Sequence, residues 1–146
     1  MIIGTHFHTI DDKNRLSLPS KFRKEMGKSV VVTPGLDTCL FIFTAEEWEK
    51  ISGKLAGNES SMFKADNRSL NRYLLGMAVE VEVDKAGRML IPDHLRSRAK
   101  LESKVAIIGV RDRVVIWDEA AWKAHAKDVE ARADQLAEKY GQAGLI

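Results

Sequence analysis

The sequence holds one cysteine, Cys39, in 146 residues, so no internal disulfide can form and the fold must rest on its core. Three prolines and ten glycines are too few for a low-complexity or collagen-like chain. Uncharged runs such as Ser29 to Leu36 are far too short to span a membrane. Neither G-x-x-x-x-G-K-[ST] nor G-x-G-x-x-G occurs, which removes the common phosphate loops. A strong charge of one sign is also missing: 23 basic against 21 acidic side chains leave +2, so nucleic-acid binding would have to come from a local cluster. Met1 to His6 carries no basic segment followed by an apolar one, which predicts a cytoplasmic protein without a secretory signal. His6, His8, His94 and His125 are scattered, and only His6 and His8 share a strand face. Two such residues make an incomplete metal site, so neither a metal nor any cofactor is expected. Cys39 sits in an apolar stretch and reads as a small buried hydrophobe rather than a nucleophile. No catalytic constellation emerges, and no enzyme activity or small-molecule substrate is expected.

What is present is 45% apolar and 30% charged residues, the profile of a globular chain, and a repeat. Asp11-Asp12-Lys13-Asn14-Arg15-Leu16-Ser17-Leu18-Pro19-Ser20-Lys21-Phe22-Arg23 lies over Asp84-Lys85-Ala86-Gly87-Arg88-Met89-Leu90-Ile91-Pro92-Asp93-His94-Leu95-Arg96 at an offset of 73. The shared frame is D-x-x-x-R-x-x-x-P-x-x-x-R. After one extra residue in the second copy the offset becomes 74 and matches Gly35 with Gly109, Phe43 with Trp117 and Trp48 with Trp122. A whole supersecondary unit is duplicated. The chain divides accordingly into a first repeat over 5–50, a linker with an amphipathic helix over 51–78, a second repeat over 79–124, and a C-terminal helix and tail over 125–146.

Each copy predicts the same order of elements. Val79, Val81 and Val83 alternate with glutamates, a strand whose weaker counterpart is Phe7 to Ile10. Asn14 and Gly87 hold equivalent places before the arginine and are residue types that tolerate positive φ in a tight turn. A short strand then ends at Pro19 or Pro92, which open short helices. Val30 to Thr33 with Leu40 to Phe43, and Val105 to Ile108 with Val114 to Trp117, are further strands. Thr44 and Asp118 stand as N-caps, Thr44 with Glu47 as a capping box. Ser60 to Leu75 reads as one amphipathic helix through Leu70, Tyr73, Leu74 and Met77. Trp122, Ala126, Val129, Ala133, Leu136 and Tyr140 form a heptad-like seam suited to close helix packing.

The duplicated D-x-x-x-R turn has two readings on spacing alone. In one, Asp11 and Asp84 organise the turn by accepting backbone hydrogen bonds while Arg15 and Arg88 brace it. In the other, the arginines face phosphate. Charge favours the second: Asp11 to Glu25 carries +2 and Asp84 to Lys104 carries +3, while Asp118 to Lys139 has six acids against four bases. Lys64, Arg68 and Arg72 recur every fourth residue on the linker helix, a spacing suited to tracking phosphates.

The two turns with Pro19 and Pro92, and the stretch Arg68 to Gly76 between them, closely resemble the bacterial MraZ family from Met1 to Trp122. The resemblance implies an α+β fold, mostly β with peripheral helices: an AbrB-like swapped-hairpin β-barrel made from two tandem repeats. It implies a transcriptional regulator, a repressor in the simplest case, that binds short direct repeats of double-stranded DNA upstream of its own division and cell-wall operon. It also implies a homo-oligomeric ring in the cytoplasm, associated with the nucleoid and with no membrane partner. By the same resemblance Arg15, Arg88, Lys13 and Lys85 contact DNA, with Arg68 and Arg72 as the second basic feature, while Asp11, Asp84, Asn14 and Gly87 hold the turns. The alternative is a protein-binding barrel of antitoxin or assembly type without specific DNA binding.

Overall fold

The computed structural model describes residues 1–57 and 60–144, with the side chains of Ser60 and Ser61 left aside. Asn58 and Glu59 of the expected linker and Leu145 and Ile146 of the expected tail lie outside the described residues. Copy one runs β1 (Ile2–Thr9), β2 (Arg15–Ser17), α1 (Ser20–Met26), β3 (Ser29–Pro34), β4 (Leu40–Thr44) and α2 (Ala45–Ala56). Then come α3 (Ser60–Phe63) and α4 (Ala65–Leu74). Copy two repeats the order as β5 (Val79–Glu82), β6 (Arg88–Leu90), α5 (Asp93–Arg98), β7 (Lys104–Arg111), β8 (Val114–Asp118) and α6 (Glu119–Gln142). The class is α+β as expected, although helical residues outnumber strand residues.

Six strands form one antiparallel sheet in the order β1-β7-β8-β4-β3-β5, and β2 pairs with β6 in a separate ribbon. The β3/β4 and β7/β8 hairpins form within their own copies, and the copies exchange the strands around them. β1 of copy one lies on β7 of copy two, from Ile2 opposite Arg111 to Thr9 opposite Lys104. β5 of copy two lies on β3 of copy one. The ribbon joins Arg15 to Leu90, Leu16 to Met89 and Ser17 to Arg88. The hairpins are therefore swapped, but among the described residues the large sheet is not a closed hydrogen-bonded barrel. β1 and β5 remain its edges, because each edge strand turns through its D-x-x-x-R segment into the ribbon instead of pairing with the other.

Strand alternation sorts the apolar residues onto two faces. Val30, Val32, Leu40, Ile42, Val105, Ile107, Val114 and Ile116 meet Leu16, Leu18, Phe22, Met89, Ile91 and Leu95 from the ribbon, α1 and α5 in the main core. The opposite face carries Val31, Phe43, Ala106, Ile108, Val115 and Trp117, also buried. Phe43 packs on Trp48 of α2 with ring centroids 5.6 Å apart, and Trp117 packs on Trp122 of α6 at 5.8 Å. The matched tryptophans thus occupy equivalent, half-buried places. Gly109 lets β1 and α1 come close: a Cβ there would meet the Ile2 carbonyl carbon at 2.8 Å and Phe22 Cζ at 2.9 Å.

The two side-chain N-caps follow the sequence. Thr44 Oγ1 accepts from the Glu47 amide at 3.1 Å, and Asp118 Oδ2 accepts from the Ala121 amide at 3.5 Å. Pro19 and Pro92 are the N-caps of α1 and α5. One expectation fails in the linker. The single helix over Ser60 to Leu75 is broken at Lys64, whose φ of −99° and ψ of 128° are extended. The Arg68 guanidinium donates to the Met62 carbonyl at 2.9 Å, so a side chain satisfies the end of α3 and a straight helix is not needed. In the C-terminal helix the N-terminal turns rest on the sheet, with His125 stacked on Trp117 at 4.8 Å. Ala133 and Tyr140 of the heptad-like seam are exposed.

Candidate nucleic-acid interface

Each D-x-x-x-R segment is a closed turn built by its aspartate. Asp11 Oδ1 accepts from the amides of Lys13 at 2.9 Å and Arg15 at 2.8 Å, and its Oδ2 accepts from Arg15 Nε at 2.7 Å. Asp84 Oδ1 accepts from the amides of Ala86 and Arg88, both at 2.9 Å, and its Oδ2 from Arg88 Nε at 3.0 Å. Backbone bonds close the same loops, Asp11 amide to Arg15 carbonyl and Asp84 amide to Arg88 carbonyl, both 2.9 Å. Asn14 and Gly87 take φ of 61° and 79°, the left-handed conformation the turn demands.

The arginines spend only Nε on the aspartates. Among the described residues their Nη groups have no hydrogen-bond partner, and their side chains are 33% and 39% exposed. Ribbon register decides where they stand. Leu16 and Met89 are buried beneath, so Arg15, Ser17, Arg88 and Leu90 share the outer face. Two residues along the strand and one strand across separate the arginine Cα atoms by about 8 Å. Lys13 and Lys85 are exposed beside them. Two guanidinium forks on one small rigid face can grip phosphate oxygens or the O6/N7 edge of guanine.

The linker basics are a different matter. Arg68 and Arg72 are exposed on α4, whereas Lys64 is its N-cap, so the three do not form one helical stripe.

Both halves of the chain match one family model, described as "MraZ protein, putative antitoxin-like": once over residues 1–73 and again over 74–141. The chain belongs to the MraZ family. It is 45% identical over 138 residues to a protein of Caldanaerobacter subterraneus subsp. tengcongensis named transcriptional regulator MraZ, across 94% of this chain and 95% of that one. A protein of the same name from Acetivibrio thermocellus is 41% identical over 145 residues, across 99% and 100%. Another, from Ligilactobacillus salivarius, is 44% identical over 138 residues, across 94% and 95%.

The repeated frame ends on a fourth fixed residue, Arg23 in one copy and Arg96 in the other, whose role spacing alone does not reveal. Each reaches the opposite copy's turn. Arg96 Nη1 donates to Asn14 Oδ1, and the Arg23 guanidinium lies directly over Gly87. The repeat of this arginine in both copies was the available signal. The histidines lie apart from the interface chemistry: His6 packs edge-on against Phe22 at 5.2 Å, and His8 Nδ1 sits 2.6 Å from the Ser17 carbonyl. Among the described residues no three His, Cys, Asp or Glu side chains gather as a metal site would need. Burial, followed by the charge of Asp37, pushes the Cys39 thiol up to about 12, so it is protonated at neutral pH.

The turn aspartates are shifted the other way. The backbone hydrogen bond from Arg15 leads in holding Asp11 below the ordinary aspartate value, with the guanidinium and the Lys13 amide adding to it. At Asp84 the Arg88 amide leads, and the Arg88 side chain follows. A carboxylate with a depressed folded value contributes above the unfolded range, and the contribution is lost as pH falls through the folded value. Carboxyl carbon shifts followed by NMR should therefore give midpoints for Asp11 and Asp84 below that of an unstructured peptide. Arg15→Ala should raise the Asp11 midpoint and leave Asp84 alone. Ordinary midpoints in the intact protein would contradict the turn geometry.

Proposed function

We propose that the chain is a sequence-specific DNA-binding transcriptional regulator, acting as a repressor on short direct repeats upstream of its own division and cell-wall operon. The supporting observation is the outer face of the β2/β6 ribbon, where Arg15 and Arg88 are held by their own aspartates through Nε and keep their terminal nitrogens for a ligand. Lys13 and Lys85 add charge beside each fork. The relatives named as transcriptional regulators agree with this reading. One ribbon offers few charges, so tight binding requires several linked copies on adjacent repeats, and a closed homo-oligomeric ring in the cytoplasm, bound to the nucleoid, supplies them. Linkage turns later contacts into intramolecular ones and raises avidity by roughly 10² to 10⁴.

The test is a footprint of the upstream DNA combined with a salt titration and a spacing series. Protection should fall on regularly spaced repeats, and affinity should drop steeply with salt as counterions are released. Inserting half a helical turn between repeats should remove most of the avidity. A flat salt dependence, indifference to spacing, or a monomer in solution would overturn the proposal and favour a protein partner instead.

A further inference from the structure

The two turns share a frame and are not held alike. At the first, Asn14 Nδ2 donates to Asp93 Oδ1 at 2.6 Å, and Asn14 Oδ1 accepts from Arg96 Nη1. Arg96 is itself anchored, its Nε donating to the Leu101 carbonyl at 3.2 Å. Two side chains of copy two thus clamp the turn of copy one. At the second turn Gly87 has no side chain to clamp, and Ser20 stands where Asp93 does in the other copy. Arg23 donates Nε to the Leu18 carbonyl at 2.9 Å and lies against the glycine backbone. Beside it opens a cavity of about 480 Å³ lined by Arg23, Gly27, Lys28, Asp84, Lys85 and Gly87.

The backbone bonds that tie each turn to the other copy are equal, Ile91 amide to Asn14 carbonyl at 2.8 Å and Leu18 amide to Gly87 carbonyl at 2.9 Å. The difference lies in the side chains. Glycine leaves its backbone more conformational freedom than any other residue, whereas a satisfied polar network holds one geometry. Asn14 immediately precedes Arg15, so fixing it fixes the base of that guanidinium. Reading a base edge needs such placement, while a phosphate contact positions without discriminating.

We propose that Asn14, clamped by Asp93 and Arg96, makes the first turn the fixed reader of base sequence, and that the glycine turn is the adaptable contact that follows the DNA backbone. Asn14, Asp93 and Arg96 are positioning residues here. The inference rests on the DNA-binding reading above.

The experiment uses the full chain as wild type, Asn14→Gly, Asp93→Ala and Asp93→Asn, each checked for an unchanged melting temperature. Hydrogen exchange on the free proteins reads the clamp without DNA. The Arg15 amide should exchange more slowly than the Arg88 amide in wild type, and the two should become alike in Asn14→Gly and Asp93→Ala. Binding to the footprinted repeats and to singly substituted repeats reads discrimination. It should fall about tenfold in those same two variants, with the salt slope unchanged, and be retained in Asp93→Asn, whose side-chain oxygen still accepts from Asn14. Equal exchange of the two amides in wild type, or unchanged discrimination in Asp93→Ala, overturns the proposal. Loss in Asn14→Gly alone also overturns it, because it would make Asn14 a direct base contact. Wild type without any sequence preference overturns the DNA reading as well, a result distinct from failure of the exchange arm alone.

Discussion

Replacing Arg15 and Arg88 together by alanine should abolish the preference for repeated sites over random DNA, while each single change should cost about 1 to 3 kcal/mol of binding. The fold should survive. Each arginine makes one partly exposed i,i+4 ion pair with its aspartate, and exposed pairs of this kind contribute about 0 to 1 kcal/mol. The aspartates would still organise the turns through backbone amides. Gel-shift titration of the three variants beside their thermal melts separates the two roles. Unaltered affinity with a lowered melting temperature would show that the arginines brace the turn and read nothing.

Phe22→Ala should have the largest effect on stability, about 3 to 5 kcal/mol, because the ring is fully buried and its removal leaves a cavity. Its contacts explain why the loss cannot stay local. The ring belongs to α1 of copy one, meets His6 of β1 edge-on, and lies over Gly109 of β7 in copy two. Urea unfolding should show one transition moved to lower denaturant with its slope unchanged. A shift worth less than about 1 kcal/mol, or two separated transitions, would contradict a core shared between the copies.

Much of this was legible in the residues because it is local. Asn14 and Gly87 announced positive φ, Thr44 and Asp118 announced helix starts, and the valines of 79–83 announced a strand. The aspartate and arginine of each turn meet through four residues of chain, which spacing alone can suggest. Pairing across the copies is another kind of fact. Period-two alternation in β1 shows which side chains face inward but carries no address for β7, so the strand exchange followed only from family resemblance. Lys64 escaped because Met62 and Phe63 lie eight and seven residues before Leu70, in phase with its helical face, while the break is spanned by Arg68 reaching back to Met62. Arg23 and Arg96 were visible as repeated letters, yet their contacts lie on the opposite copy.

The exchange of strands sets an order of events during synthesis. β1 leaves the ribosome first, and the strand it pairs with, β7, lies about a hundred residues downstream. At roughly 5 to 20 residues per second, that leaves β1 without its partner for about 5 to 20 seconds. For that interval Ile2, Ile3 and Phe7 are carried on a strand with an unsatisfied edge, the kind of segment that pairs readily with another chain. Nascent copies on one message are close neighbours, so a truncated product ending before β7 would present a permanent acceptor for them.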